Sequence, residues 1–352
     1  MRYKPDWEDA RKRLTALWNH DLVDRPCIAV TAPNGRSVDR PPAPASAHQK
    51  WLDPDWVLRD LTARIESTWW GGEALPSYLL MGGWVLCLGG TPKLEMRTIW
   101  YDTVEVDYSS PPPFRYVDDD NWVKTHAYLY EAAADLAGQN DFSLGRPCAL
   151  PANDILSMVM GAETFLLALK DHPEWMRDAL ITAAREQCRV RKDLRSRIQD
   201  KHDFWYTNGG FMPFWGPEPF FGTQSDVSCM LAPEMFEEFI VPEFEIQAEA
   251  FGHMWYHLDG CDAYHHLPRL LSLPFLRVMQ YTASPHEPPN GPDHLDLYRR
   301  IQSAGKIVHV RVTKENVEPL VRNLDPTRLM LDTSCDSVAE GEALLEASED
   351  WI

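Results

Sequence analysis

No stretch of the 352-residue chain approaches the ~18 consecutive apolar residues that a membrane span requires. Its first residues, Met1-Arg2-Tyr3-Lys4-Pro5-Asp6-Trp7-Glu8, also lack the apolar centre of a secretion signal. A cytoplasmic location is the expectation. Cysteine is scarce: the seven residues, an odd number running from Cys27 to Cys335 with no CxxC pair, argue against a disulfide framework and for free thiols. Basic residues are also few, 34 Lys and Arg against 53 Asp and Glu, for a formal net charge of -19. The most basic stretch, 185–197, alternates with Glu, Gln and Asp and reads as a solvated helix face, so nucleic acid is not an expected partner. What remains is the ordinary balance of a globular protein with ample core, 44% hydrophobic and 25% charged.

Short apolar runs bounded by turn residues mark eight candidate strands at 27–31, 77–81, 147–150, 204–207, 254–258, 276–281, 307–312 and 329–331. Between most of them lie amphipathic patterns at 162–170, 173–199, 233–251, 295–304 and 337–348, with Asp, Ser or Pro at several starts. Nearly continuous apolar strands alternating with helices argue for a parallel sheet covered on its outside, and eight strands are the number that closes a (β/α)8 TIM barrel. Residues 1–352 therefore read as one barrel domain. An N-terminal helix within residues 1–25, with Trp7, Ala10, Leu14, Leu17 and Trp18 at helical spacing, is expected to close the bottom of the barrel. Alternating polar and apolar residues at 93–100 and 103–108 suggest an antiparallel hairpin inserted in 84–125.

Candidate chemistry gathers at the strand ends. His257 and Asp259 are two apart, so in a strand both side chains point the same way, and Cys335 ends another apolar run. If all three meet at one rim, they form an imidazole, carboxylate and thiolate set of the kind that holds zinc with an open fourth position. The alternative is a hydrogen-bonded strand end beside a small buried cysteine. A dense aromatic segment holding Trp205, Asn208, Phe214 and Trp215, followed by Phe221, suits either sandwiching a flat ligand or packing over the barrel mouth. Asp154, Asp226 and Tyr281 are candidate acids or bases, and Gln280 can orient a substrate. Arg311 can hold a carboxylate or phosphate, or join an internal ion pair.

Three segments carry a resemblance: 231–242 (LAPEMFEEFIVP), Tyr256-His257-Leu258-Asp259-Gly260, and Ser334-Cys335-Asp336. Together they resemble the uroporphyrinogen decarboxylase superfamily, and within it the zinc and cobamide-dependent methyltransferase branch. That resemblance implies a zinc site in which His257 and Cys335 match family ligands, while Asp259 stands where the family has a cysteine. Cys261, two residues on, is a second source of sulfur. It further implies transfer of a methyl group between a small O- or N-methyl substrate and a corrinoid carried by a partner protein. Aspartate in place of the cysteine makes the site harder, better suited to polarising an ether, amine or hydroxyl than to activating a thiol. The decarboxylase itself uses an arginine-rich segment that has no counterpart near 27–36. A lyase without metal and a ligand-binding barrel without turnover are the alternatives.

Overall fold

Branched and aromatic runs become strands, and the intervening amphipathic segments become helices that cover them. The structure is a computed structural model that describes residues 1–78, 90–116, 121–138, 141–144, 150–198, 207–208 and 212–352. Seven strands form the central sheet: β1 (Cys27–Pro33), β2 (Thr68–Gly72), β3 (Phe220–Thr223), β4 (His253–Asp259), β5 (Leu276–Thr282), β6 (Ile307–Arg311) and β7 (Leu329–Ser334). Their spatial order is β2-β1-β7-β6-β5-β4-β3. Every neighbouring pair is parallel except β1 with β2. Among the described residues the sheet ends at β2 and β3.

Both faces of the sheet are buried, as the apolar runs anticipate. One face, carrying Ile28, Val30, Tyr256, Leu258, Met279, Tyr281, Val308, Val310 and Leu331, joins the large core beneath the helices. The other presents Cys27, Ala29, Trp255, Val278, Ile307 and Met330 to a second, smaller core. Register aligns His257 with Gln280 and Gln280 with His309, and one layer nearer the carboxyl ends it aligns Asp259 with Thr282. Arg311, Asp332 and Ala29 align in a corresponding layer. Paired residues point the same way, so these polar side chains share one face of the sheet.

The helix Trp7–Trp18 buries Trp7, Ala10, Leu14, Leu17 and Trp18 in the smaller core, against residues near the amino ends of the strands. A helix here is what the spacing of these residues leads one to expect. The chain folds back tightly there, because a Cβ at Gly216 would come within 2.7 Å of the Trp18 ring.

Three elements differ from the sequence reading. Thr68–Gly72, which none of the expected strands covers, forms β2; Gly72 takes φ +57° and so can approach the Ile28 carbonyl. Phe220–Thr223, taken for a rim loop, is a sheet strand. The hairpin lies at Thr91–Leu94 and Ile99–Asp102, with its turn closed by Glu95 N–H to the Thr98 carbonyl at 3.0 Å. Residues 103–108 form no strand, and the Val104 N–H instead bonds the Val159 carbonyl at 2.8 Å. The expected strands at 77–81, 147–150 and 204–207 fall mostly outside the described residues. Of these, Ser77–Tyr78 pairs with Ser143–Leu144, and Thr207–Asn208 pairs with Phe214–Trp215.

Candidate functional site

The two-residue period of β4 sends Trp255, His257 and Asp259 to the same face, and it is at the strand's carboxyl end that a third acid arrives. Asp226 opens the short helical turn Asp226–Met230 after β3. Ligand atoms of Asp226, His257 and Asp259 all lie within 4.8 Å of one another. His257 is buried, whereas the two carboxylates belong to exposed residues.

Gln280, one strand over, fixes the histidine. Its Nε2 donates to the Tyr281 carbonyl at 2.6 Å and to the Thr282 hydroxyl at 3.0 Å, so the amide turns its oxygen to His257 Nδ1. Only a protonated Nδ1 satisfies that oxygen, which places the ring lone pair on Nε2. Burial holds the His257 pKa below its ordinary value, so the ring is neutral at neutral pH.

Asp154 secures the third acid. Buried at the start of the helix Ala152–Met160, its carboxylate accepts from the Asp226 N–H and the Val227 N–H, each at 3.1 Å, and from Gln224 Nε2 at 3.3 Å. Gln224 also donates to Asp226 at 2.8 Å. Burial raises the pKa of Asp154, with the charge of Asp226 adding to it. Loss of hydration likewise raises Asp226, and the charge of Asp259 pushes the same way. A cation would relieve this crowding of like charge. One imidazole and two carboxylates are, moreover, donors that a divalent ion such as zinc accepts.

Cys335 does not join this group. Asp332 and Ser334 face a cavity, whereas the Cys335 side chain, one position further in the alternation, is buried in the helix-covered core. The expected meeting of His257, Asp259 and Cys335 is thus replaced by one of His257, Asp259 and Asp226.

The cavity, of about 860 Å³, opens beside β1, β6 and β7, with Thr31, Asn290, Arg311, Lys314, Asp332 and Ser334 among its lining residues. Asp332 is held from below: Trp255 Nε1 donates to His309 Nδ1 at 3.1 Å, and His309 Nε2, which therefore carries the proton, lies 3.1 Å from Asp332. Arg311 pairs with the other Asp332 oxygen at 3.7 Å, the internal ion pair weighed for it, while still reaching the cavity.

The other candidates lie elsewhere. Tyr281 points to the opposite face, where its hydroxyl donates to Glu287 at 2.7 Å and accepts from Tyr264 at 2.8 Å. Phe214 packs with Trp18 and Phe220 in the smaller core, and Trp215 meets the Trp7 ring edge-on at 5.5 Å. Phe221 is fully buried in the larger core. Phe214 and Trp215 thus pack in or against the smaller core and Phe221 in the larger one. Trp205 lies outside the described residues, and Asn208 is described only through its backbone pairing with Phe214.

No protein-family model and no curated protein matches the chain. The fold is shared with a solved structure. A methyltransferase from Methanosarcina mazei superposes with a TM-score of 0.59 at 11% sequence identity, covering 97% of this chain and 98% of that one. The described residues therefore have the α/β fold of a protein described as a methyltransferase. Among the described residues no single helix is long and apolar enough to cross a membrane.

Proposed function

We propose that the chain is a zinc-dependent methyltransferase of the uroporphyrinogen decarboxylase superfamily, with its sheet closed as a (β/α)8 barrel. It would move a methyl group between a small O- or N-methyl substrate and a corrinoid carried by a partner protein. The observation that carries this reading is the convergence of Asp226, His257 and Asp259 at the carboxyl end of parallel strands, where barrels of this class keep their chemistry. The shared fold with a methyltransferase is consistent with it.

A divalent ion at this group would supply Lewis acidity to the heteroatom that carries the methyl group. The chain's own residues do the rest. Gln280 keeps the His257 lone pair on Nε2, Asp154 keeps Asp226 in place through the backbone of its turn, and Arg311 offers a cation to a substrate oxygen entering the cavity.

Protein purified without chelator is expected to contain zinc, one equivalent of which is lost in His257→Ala, and to exchange methyl groups with a reduced corrinoid. A wild-type protein free of metal would overturn the metal site. Zinc-loaded protein that leaves cob(I)alamin unmethylated across O- and N-methyl donors would overturn the reaction.

A further inference from the structure

Beyond the carboxyl ends of β4 and β5, outside the group just described, three more donors meet. Cys261 and Asp262 follow Gly260 at the end of β4, and His286 lies in the loop after β5. Cys261 Sγ is 3.3 Å from His286 Nε2, and Asp262 Oδ1 is 3.9 Å from that same nitrogen. All three ligand atoms fall within 4.8 Å of one another.

The convergence on a single nitrogen distinguishes two kinds of chemistry. A cysteine nucleophile activated by histidine has its supporting acid on the far ring nitrogen, where it orients the ring. Here the sulfur and the carboxylate crowd Nε2 together, which suits a shared ion. Around a tetrahedral zinc, with Zn–S near ~2.3 Å and Zn–N near ~2.0 Å, neighbouring ligand atoms sit roughly 3.3–3.6 Å apart. The observed spacings fall near that range.

The donors are also held for the purpose by groups that take no part in the set. Glu287 clamps the two loops, accepting from the Cys261 N–H at 3.0 Å, the Ser284 N–H at 2.8 Å and the Tyr281 hydroxyl at 2.7 Å. Gly260, at φ +73°, lets the loops touch, since a Cβ there would collide with the Ser284 hydroxyl. With Glu287 committed in this way, the set offers three ligands, and Asp262 and His286 are exposed.

We propose that Cys261, Asp262 and His286 form a second divalent-metal site, selective through its thiolate and imidazole for zinc or a comparable transition ion over magnesium or calcium. It would pin the loops after β4 and β5 to each other at the rim.

Loading the full-length protein with Co²⁺ alone tests this, because a cobalt–thiolate bond gives an intense near-ultraviolet charge-transfer band that carboxylate and imidazole do not. The wild type is expected to show the band. Cys261→Ser should abolish it and His286→Ala should weaken cobalt binding at least tenfold, while Cys229→Ser and Cys335→Ser should leave it intact. The band should also survive in His257→Ala, which separates failure here from failure of the group on β4. No band in the wild type, a band that persists in Cys261→Ser, or one lost in Cys335→Ser would each overturn the proposal.

Discussion

Glu243 is a fully buried acid surrounded by donors. It accepts from the Ala152 N–H at 2.5 Å, the Asn153 N–H at 3.0 Å, Asn153 Nδ2 at 2.8 Å and Gln247 Nε2 at 2.7 Å. It thereby anchors the helix whose next residue, Asp154, holds Asp226. Burial outweighs those donors and pushes its pKa from an ordinary 4.5 up to about 7. A folded-state value above the unfolded one makes a stabilising contribution that is complete below about pH 4.5 and is lost as pH climbs through about 7. Glu243→Gln, which does not titrate, is expected to gain on the wild type over that interval by on the order of 3 kcal/mol. Denaturant titrations at several pH values check this, and parallel stability curves would contradict it. At this same scale the sequence is legible where chemistry follows local period: the spacing of His257 and Asp259 puts them on one face. Asp226 belongs with them because Asp154, 72 residues away, caps its turn, a contact no local pattern encodes. Cys335 looks like a partner only until the alternation is counted from Asp332 and Ser334.

Among the elements, the helix Trp7–Trp18 puts five buried residues into the smaller core. Trp18 is fully buried, lies 5.6 Å from the Phe220 ring and 6.3 Å from the Phe214 ring, and gives its indole N–H to Glu218 at 3.1 Å. Trp18→Ala removes one of the three tryptophans buried in the smaller core and is expected to cost about 3–5 kcal/mol. Equilibrium unfolding measures the loss, and a cost under about 1 kcal/mol would mean the floor of the sheet repacks freely. The periodicity that revealed this helix is strong because one whole face is apolar. β2 and β3 leave a fainter trace in the sequence for a physical reason: one ends in paired glycines, and the other is four residues long and aromatic on both faces. The hairpin at 91–102 slipped in register because Glu95 to Thr98 alternate like a strand while they serve as its turn.

Across the whole molecule, a buried ion pair ties the approach to β1 to the exit of β2. Arg25 makes a two-pronged bond to Glu73 at 2.8 and 2.9 Å, and Glu73 also accepts the Ile28 N–H at 2.7 Å. Both side chains are shielded from solvent, so Glu73→Ala strands a guanidinium in the interior and is expected to cost about 3–5 kcal/mol. Arg25→Met combined with Glu73→Leu should recover much of that in thermal unfolding; no recovery would show that the Ile28 N–H was the greater loss. The α/β class was readable at this scale because buried parallel strands leave continuous apolar runs. The strand order was not, because pairing over long separations leaves no trace in any window of sequence. That order has a consequence for how the protein is made: β1 has β7 as its parallel neighbour, so Cys27 waits for Met330. On the ribosome the first strand of the sheet emerges with one flank bare, and synthesis must pass residue 334 before its proper neighbour can slot in. Until then β1 and β6 offer unpaired edges on which another chain can template itself.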